Sequence, residues 1–177
     1  MDSTHSGSPL ASNPISSLLL TFTLLVLASA CTNTGLKESA GSASTLGQVF
    51  RLEDEAGQAS TLQLAGQASF VSFSSTWCEA CKKHRKDFHR IYNDYKDKGI
   101  QFHFIRVGEI AADVRADLDA ENAPFKHLFD KNGVVAKSFK IDTTPTVLIY
   151  NKNGKEIYRS DVYDDEEIKA SLGKVKN

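Results

Sequence analysis

Two of the three cysteines in this chain of 177 residues, Cys78 and Cys81, are separated by two residues. A strand-like segment precedes them, so the first cysteine falls where a helix would begin. Unpaired backbone N–H groups and the helix dipole favour negative charge at such a position and lower the pKa of a thiol there. The thiolate is the attacking species in thiol–disulfide exchange. We therefore interpret Cys78 as the nucleophile and Cys81 as the resolving thiol that releases a reduced partner.

The same two cysteines could hold a metal ion instead. A structural zinc site needs four ligands, and the sequence contains no second pair of cysteines. His84 lies three residues beyond Cys81 and could supply a third ligand. We favour redox chemistry and expect neither a metal site nor a bound cofactor. The alternative from another class is a copper- or metal-delivery module that uses Cys78, Cys81 and a histidine.

The third cysteine, Cys31, directly follows a mostly apolar run from Ile15 to Ala30. This run is shorter than the roughly 20 residues that a membrane-spanning helix needs, and it ends in small residues, as the apolar part of a signal peptide does. Its last residues together with the cysteine, Leu-Ala-Ser-Ala-Cys, resemble the lipobox of bacterial lipoproteins, in which the cysteine is lipidated and the chain is cut before it. We expect a lipoprotein signal peptide over residues 1–30 and lipidation at Cys31. An uncleaved anchor or an ordinary secreted form is the alternative.

Composition divides the rest of the chain into a linker and one domain. Residues 31–45 are dominated by small polar residues without apolar periodicity, which predicts a flexible linker. Residues 46–177 are long enough for a hydrophobic core of their own. The formal net charge is -1, and we interpret the one basic run, Lys82–Lys86, as a solvated helix face. We therefore expect no nucleic-acid partner.

Periodicity and turn residues predict the elements that position the dithiol. Asp164 with Glu167 three residues later resembles a capping box and predicts a final helix. The earlier predicted elements are a hairpin within Phe50–Leu64, a strand at Phe70–Ser74, one helix from the dithiol to Gly99, a strand at Phe102–Val107, a helix at Ile110–Glu121, an extended piece at Pro124–Asp130, a short helix at Val134–Phe139, and a hairpin of Thr146–Tyr150 with Lys155–Arg159. This alternation predicts an α/β fold.

Four segments of the predicted domain resemble the thioredoxin fold, specifically the TlpA/ResA-type membrane-anchored thiol-disulfide oxidoreductases. The most specific combination is the C-x-x-C motif followed later by a Thr-Pro-Thr sequence. The resemblance implies a central mixed β-sheet flanked by helices, with an N-terminal β-hairpin extension. The four segments are Phe50–Gly66, Phe73–Lys82, Asp130–Phe139 and Thr143–Lys155.

The resemblance also implies roles for residues near the dithiol. Pro145 is expected in the cis form, turning the backbone of Thr144 toward the dithiol so that it can pair with a substrate strand. An ordinary trans proline at a strand start is the alternative. Trp77 is expected to pack beside the dithiol and to shape the partner-binding surface.

The sequence departs from the family pattern at four positions. Proline is commonest where Ala80 stands, and a helix-kinking proline is common where Lys86 stands. Ser72 occupies the position of the buried aspartate of thioredoxin, and His84 that of an acidic residue. His84 is a possible proton shuttle for Cys81, because a histidine titrates near neutral pH; a surface histidine in a basic run is the alternative. His103 and His127 are expected to be structural or surface residues.

The resemblance implies an extracytoplasmic enzyme of the bacterial cell envelope, anchored by lipid and facing the periplasm or extracytoplasmic space. We expect it to reduce disulfides of envelope proteins, with apocytochrome c before haem attachment as one candidate substrate, and to receive electrons from a membrane thiol donor. A disulfide-donating oxidant on the same fold is an alternative. A peroxiredoxin is disfavoured, because Thr76 lies two residues before Cys78 instead of three.

Overall fold

Seven strands form one mixed sheet in the computed structural model of this protein, which describes residues 47–175. The expected signal peptide, the lipidation site Cys31 and the expected linker lie outside the described residues. In chain order the elements are β1 (Val49–Asp54), β2 (Ala59–Gln63), β3 (Ala68–Ser74), α1 (Glu79–Lys83), α2 (Arg85–Tyr95), β4 (Ile100–Val107), α3 (Arg115–Glu121), β5 (His127–Asp130), α4 (Val134–Ser138), β6 (Thr146–Tyr150), β7 (Glu156–Ser160) and α5 (Asp165–Lys174).

The strand that leads into the dithiol, β3, lies in the interior of the sheet, whose strand order is β2-β1-β5-β4-β3-β6-β7. It pairs in parallel with β4, so that Phe70 lies opposite Phe102, and antiparallel with β6. Every residue of β3 except Ser74 is buried, as expected for a strand with both faces covered. Because β3 and β4 are parallel, the loops that follow them meet at one edge of the sheet, and this edge carries the dithiol.

Apolar side chains pack on both faces of the sheet. On one face Phe73 packs with Phe139, next to α4, in a buried cluster. On the other face Phe70 packs with Ile91 of α2 and Leu172 of α5. Because successive strand side chains point to opposite faces, β3 contributes to both clusters. Full burial of each such side chain stabilises the fold by about 1.5–3 kcal/mol.

Aromatic rings fix α2 against the sheet. The ring of Phe88 meets Phe70 and Phe104 edge-on, with centroid distances of 6.4 Å and 6.2 Å. Phe125, from the loop before β5, stacks on Phe104. Such pairs contribute about 0.5–1.5 kcal/mol beyond their burial. They hold the helical segment after the dithiol in a defined position.

The single helix predicted after the dithiol is wrong in one respect, because it is interrupted at His84. The backbone of His84 leaves helical geometry (φ -99, ψ 10), and its N–H is shared between the carbonyls of Ala80 and Cys81 at 3.3 Å and 3.2 Å. A one-residue interruption of this kind leaves the apolar periodicity almost unchanged, so the pattern could not reveal it. α2 begins at the next residue, Arg85.

The helix predicted over Ile110–Glu121 is also shorter than expected, since α3 spans only Arg115–Glu121. Turns occupy residues 111–114, and the N–H of Asp113 donates to the carbonyl of Ile110 at 3.1 Å. The other predicted elements agree with the structure apart from a few end residues. No described helix has the length and apolar content needed to cross a membrane.

Candidate active site

Cys78 and Cys81 form a disulfide across the first turn of α1, with their Cα atoms 5.2 Å apart. Cys78 is the N-cap residue of α1 in an extended conformation, and the N–H of Cys81 points at its Sγ atom at 3.0 Å. The two side chains are 6% and 5% exposed. In the reduced protein this N–H would donate to a Cys78 thiolate, and a donor aimed at a thiolate favours the charged form.

The Thr144–Pro145 peptide bond is cis, and its loop meets the dithiol. The carbonyl oxygen of Thr144 lies 3.2 Å from the Sγ atom of Cys78. The hydroxyls of Thr144 and Ser75 lie 3.5 Å apart, and the hydroxyl of Thr146 donates to the carbonyl of Thr143 at 2.7 Å. The dithiol and the proline loop, far apart in the sequence, thus form one surface. The substrate-binding role predicted for Thr144 and Pro145 stays a prediction.

Trp77 directly precedes Cys78 in the chain and is 69% exposed, and its expected packing beside the dithiol stays a prediction. A second large apolar side chain, Val162, is 68% exposed. Exposed apolar side chains of this size commonly mark surfaces that meet a partner when they lie together. The predicted contribution of Trp77 to partner binding stays a prediction.

Sequence reasoning missed Glu109, which holds the segment before the dithiol. One of its carboxylate oxygens, Oε1, accepts hydrogen bonds from the backbone N–H of Thr76 at 2.7 Å and from its hydroxyl at 2.6 Å. Glu109 is 7% exposed, and its other oxygen, Oε2, has no hydrogen-bond partner among the described residues. The available signal was its position two residues after the end of β4, because the carboxyl ends of β3 and β4 share an edge.

His84, the predicted proton shuttle, has its ring engaged by two other side chains. Its Nδ1 atom lies 2.9 Å from a carboxylate oxygen of Asp87, and its ring stacks on Tyr163 with a centroid distance of 4.5 Å. Tyr163 donates its hydroxyl to Asp165 at 2.9 Å, and burial, followed by this hydrogen bond, raises the pKa of Tyr163. The predicted role of His84 stays a prediction.

On the other side of Cys81 lies a group of five charged or polar side chains that we call the ion cluster. Arg106 bonds to Glu121 and directs its Nε atom at Nδ1 of His127, 3.3 Å away. His127 Nε2 lies 3.4 Å from Glu121 Oε1. Arg85 reaches Glu121 at 3.4 Å and Asp117 at 2.6 Å. The members of the ion cluster are Arg85, Arg106, Asp117, Glu121 and His127.

The ion cluster is charged and mostly buried. The side chains of Arg106, Glu121 and His127 are only 3%, 4% and 4% exposed. Burial would raise the pKa of Glu121, but the hydrogen bond from His127 and the nearby charges, including Arg106 and Arg85, lower it to about 2. Glu121 is therefore an anion at every physiological pH.

Metal ligation has no further support in the described residues. Within residues 47–175, no group of three or more His, Cys, Asp or Glu side chains is arranged so that it could hold a metal ion. His84, which the metal alternative offered as a third ligand, contacts Asp87 through Nδ1.

Residues 47–158 match the family model described as the AhpC/TSA family. The chain belongs to this family. Among curated proteins it is similar to "Thiol-disulfide oxidoreductase ResA" of Bacillus subtilis, with 30% identity over 109 residues that cover 61% of each chain. The protein of the same name from Oceanobacillus iheyensis is 30% identical over 111 residues, which cover 61% of this chain and 57% of that one. This chain thus aligns with only about three fifths of the length of these relatives.

Solved structures confirm the predicted thioredoxin-like fold of this AhpC/TSA family member. StoA from Bacillus subtilis superposes with a TM-score of 0.62 at 21% identity, covering 72% of this chain and 98% of that one. A putative thiol:disulfide interchange protein DsbE from Chlorobium tepidum gives a TM-score of 0.66 at 20% identity, covering 77% and 99%. At these identities the likeness shows the fold alone.

Proposed function

We propose that this protein is a thiol-disulfide oxidoreductase in which Cys78 attacks and Cys81 resolves. One observation carries the proposal: the Cys78–Cys81 disulfide lies 3.2 Å, measured at Cys78 Sγ, from the carbonyl of Thr144 in the cis-proline loop. A substrate strand paired with the Thr144 backbone would bring its sulfur to Cys78. Backbone pairing of this kind binds extended peptides with little demand on their sequence.

In the reducing direction, the Cys78 thiolate attacks one sulfur of a partner disulfide. The partner's S–S bond breaks, its second sulfur leaves as a thiolate that takes up a proton, and a mixed disulfide with Cys78 forms. Cys81 then attacks Cys78 and releases the partner's first sulfur. Two electrons pass from the dithiol to the partner, and a second dithiol must reduce the Cys78–Cys81 disulfide again.

The proposed location is the bacterial cell envelope, with the domain tethered by lipid at Cys31 and residues 31–45 as linker. The relatives named above as thiol-disulfide oxidoreductase ResA support the reaction. The apolar run before Cys31 and the lipobox-like sequence support the tether. The proposed substrates are disulfides of envelope proteins, apocytochrome c among them, and the proposed electron source is a membrane thiol donor. This direction follows the resemblance, and an oxidant on the same fold is its competitor.

The reduction potential of the Cys78–Cys81 pair tests the proposal and its direction. We would equilibrate the full chain carrying Cys31→Ser with glutathione or dithiothreitol and quantify the disulfide by intact-mass spectrometry. A potential near about -270 mV or lower supports a reductase. A value near about -120 mV makes the protein a disulfide donor. If no disulfide forms, the redox proposal is wrong in both directions. Incorporation of a labelled fatty acid at Cys31, absent in Cys31→Ser, tests the tether.

A further inference from the structure

On the inner side of Cys81 lies a small cavity of about 20 Å³. This volume is enough for about one water molecule. Its wall includes Cys81 and four members of the ion cluster, Arg85, Arg106, Glu121 and His127. Cys81 is only 5% exposed, so the resolving cysteine borders this charged cavity and has little contact with bulk water.

The charges on the cavity wall have an excess of positive sign. Arg85 and Arg106 are cations, and Glu121 is the one carboxylate among the described residues that line the cavity. Asp117, which neutralises Arg85 from 2.6 Å, lies outside the wall, and so does His89, whose Nε2 atom is 3.7 Å from Glu121. The residues of β3 that line the cavity, Ser72 and Ser74, carry no charge. On the cavity wall itself, an anion at Cys81 would therefore meet two cations and one carboxylate.

We propose that Arg85 and Arg106 are positioning residues for the resolving half-reaction: their guanidinium groups stabilise the Cys81 thiolate in this cavity, and the Glu121 carboxylate limits that stabilisation. The inference rests on the thiol–disulfide exchange proposed above. It adds groups outside the C-x-x-C motif that stabilise the thiolate of Cys81.

In the step concerned, the Cys81 thiol loses its proton and its sulfur attacks the Cys78 sulfur of the mixed disulfide. The Cys78–Cys81 bond forms while the bond between Cys78 and the partner sulfur breaks. The electron pair of the broken bond leaves with the partner sulfur, and the proton from Cys81 neutralises that thiolate through the solvent. The step consumes no external oxidant or reductant.

The expected effect of one wall charge is large. At an effective dielectric constant of about 20, a unit charge within several ångströms changes the population of a thiolate by about tenfold or more. Salt screens such an interaction weakly, because the cavity is buried. Removing a wall cation should therefore slow the Cys81 step, and removing the wall anion should accelerate it.

Ellman's reagent, a small aromatic disulfide, separates the two half-reactions in the full reduced chain carrying Cys31→Ser. Attack by Cys78 releases one thionitrobenzoate anion at a rate proportional to the reagent concentration. Attack by Cys81 on the resulting mixed disulfide releases the second at a rate independent of that concentration. Stopped-flow absorbance at neutral pH measures both rates.

We expect Arg85→Gln to slow the second release several-fold and Glu121→Gln to accelerate it several-fold, because a lower pKa raises the thiolate population but makes each thiolate a weaker nucleophile. The first release should change by less than about twofold in both variants, because the inner charges face Cys81. Arg85→Lys keeps the charge and should restore most of the rate. The matched control is Arg90→Gln. Arg90 lies on the same helix and also pairs with an aspartate, but it does not line the cavity.

An electrostatic role predicts opposite effects of Arg85→Gln and Glu121→Gln on the rate of the second release, whereas a structural role predicts that both variants slow it. If both Arg85→Gln and Glu121→Gln slow the second release, or if Arg85→Gln leaves it unchanged, the inference is overturned. Arg85 and Asp117 are 22% and 25% exposed, so solvent can accommodate the loss of this pair, and circular dichroism checks the fold. Should Glu121→Gln fail to fold, the slowing by Arg85→Gln and its reversal by Arg85→Lys decide. If the parent chain shows no concentration-independent second release, the proposed dithiol chemistry itself fails, which is a distinct result.

Discussion

The two sulfurs of the dithiol have different surroundings. Cys78 lies among backbone groups, with the N–H of Cys81 at 3.0 Å and the carbonyl of Thr144 at 3.2 Å. Cys81 faces buried side-chain charges, Arg106 and Glu121 among them. Backbone groups are placed by the fold, whereas buried charges depend on which side chains a particular chain carries. On the proposed mechanism, the attacking thiol is prepared by the fold and the resolving thiol by residues of this chain.

Exchanging each cysteine for serine is the most severe test of this division. Cys78→Ser should lower exchange with a protein disulfide by orders of magnitude, because the nucleophile is gone. Cys81→Ser should still attack but stop at the mixed disulfide. Non-reducing electrophoresis and intact-mass spectrometry of the trapped adduct distinguish the two. If Cys78→Ser accumulates adduct as fast as Cys81→Ser, the roles of the two cysteines are assigned wrongly.

Removing a buried charge of the ion cluster beside Cys81 should destabilise the fold more than removing a charge at the surface. Glu121→Gln leaves Arg106, whose side chain is 3% exposed, without its carboxylate partner. Breaking a buried ion pair in this way costs about 3–5 kcal/mol. Glu166→Gln is the control, since Glu166 is 87% exposed and its surface pair with Lys169 should contribute little to stability. Urea unfolding of the oxidised proteins measures both, and equal losses would contradict the contrast.

The stability contribution of Glu121 should also depend on pH. Its pKa is lowered from 4.5 to about 2 in the folded protein. A depressed pKa means that the ionised form stabilises the fold, so the contribution is complete above about pH 4.5 and is lost as the pH falls through about 2. The difference in unfolding free energy between the parent chain and Glu121→Gln should therefore shrink between about pH 5 and pH 2. A difference that stays constant over this range would contradict the shift.

Glu109 holds the segment that precedes Cys78, and its removal should lower stability by less than the removal of Glu121. Glu109→Ala removes the acceptor of both Thr76 hydrogen bonds and should cost about 2 kcal/mol. We also expect slower attack by Cys78, because the segment that precedes it loses its anchor. Thr76→Val removes only the hydroxyl contact and should cost about half as much. Urea unfolding and the first release from Ellman's reagent measure the two effects, and an unchanged first release would show that Glu109 supports the fold alone.

The surroundings of Cys78 were largely predictable from the sequence, and the ion cluster beside Cys81 was not. The C-x-x-C motif is short and local and placed Cys78 at a helix start, and the family resemblance, carried in part by the Thr-Pro-Thr sequence, pointed to Pro145. The members of the ion cluster come from α2, β4, α3 and β5, and no local pattern relates them. His127 was expected to be structural or at the surface, and its part in a buried ion cluster depends on strand register that periodicity does not provide.

The basic run Lys82–Lys86 shows the same limit within five residues. It was interpreted as one solvated helix face, yet the break at His84 divides it between two helices. Lys82 pairs with Glu79 at the surface, while Arg85 turns toward the ion cluster with only 22% of its side chain exposed. A pattern of charges predicts exposure on average, but a single interruption of the helix decides which member becomes buried.

Trp77 should give the smallest stability effect and the sharpest contrast between substrates. Because it is 69% exposed, Trp77→Ala should change the free energy of unfolding by less than about 0.5 kcal/mol. Its rate with Ellman's reagent should stay close to that of the parent, since a small disulfide needs no docking surface. Its rate with a folded disulfide-containing protein should fall several-fold, because exposed aromatic side chains commonly anchor partners. Val162→Ala, with 68% exposure, is the matched control for the loss of an exposed apolar side chain. If Trp77→Ala slows both substrates equally, Trp77 acts on the reactivity of Cys78 itself, and the outer side is then prepared by a side chain as well as by the backbone.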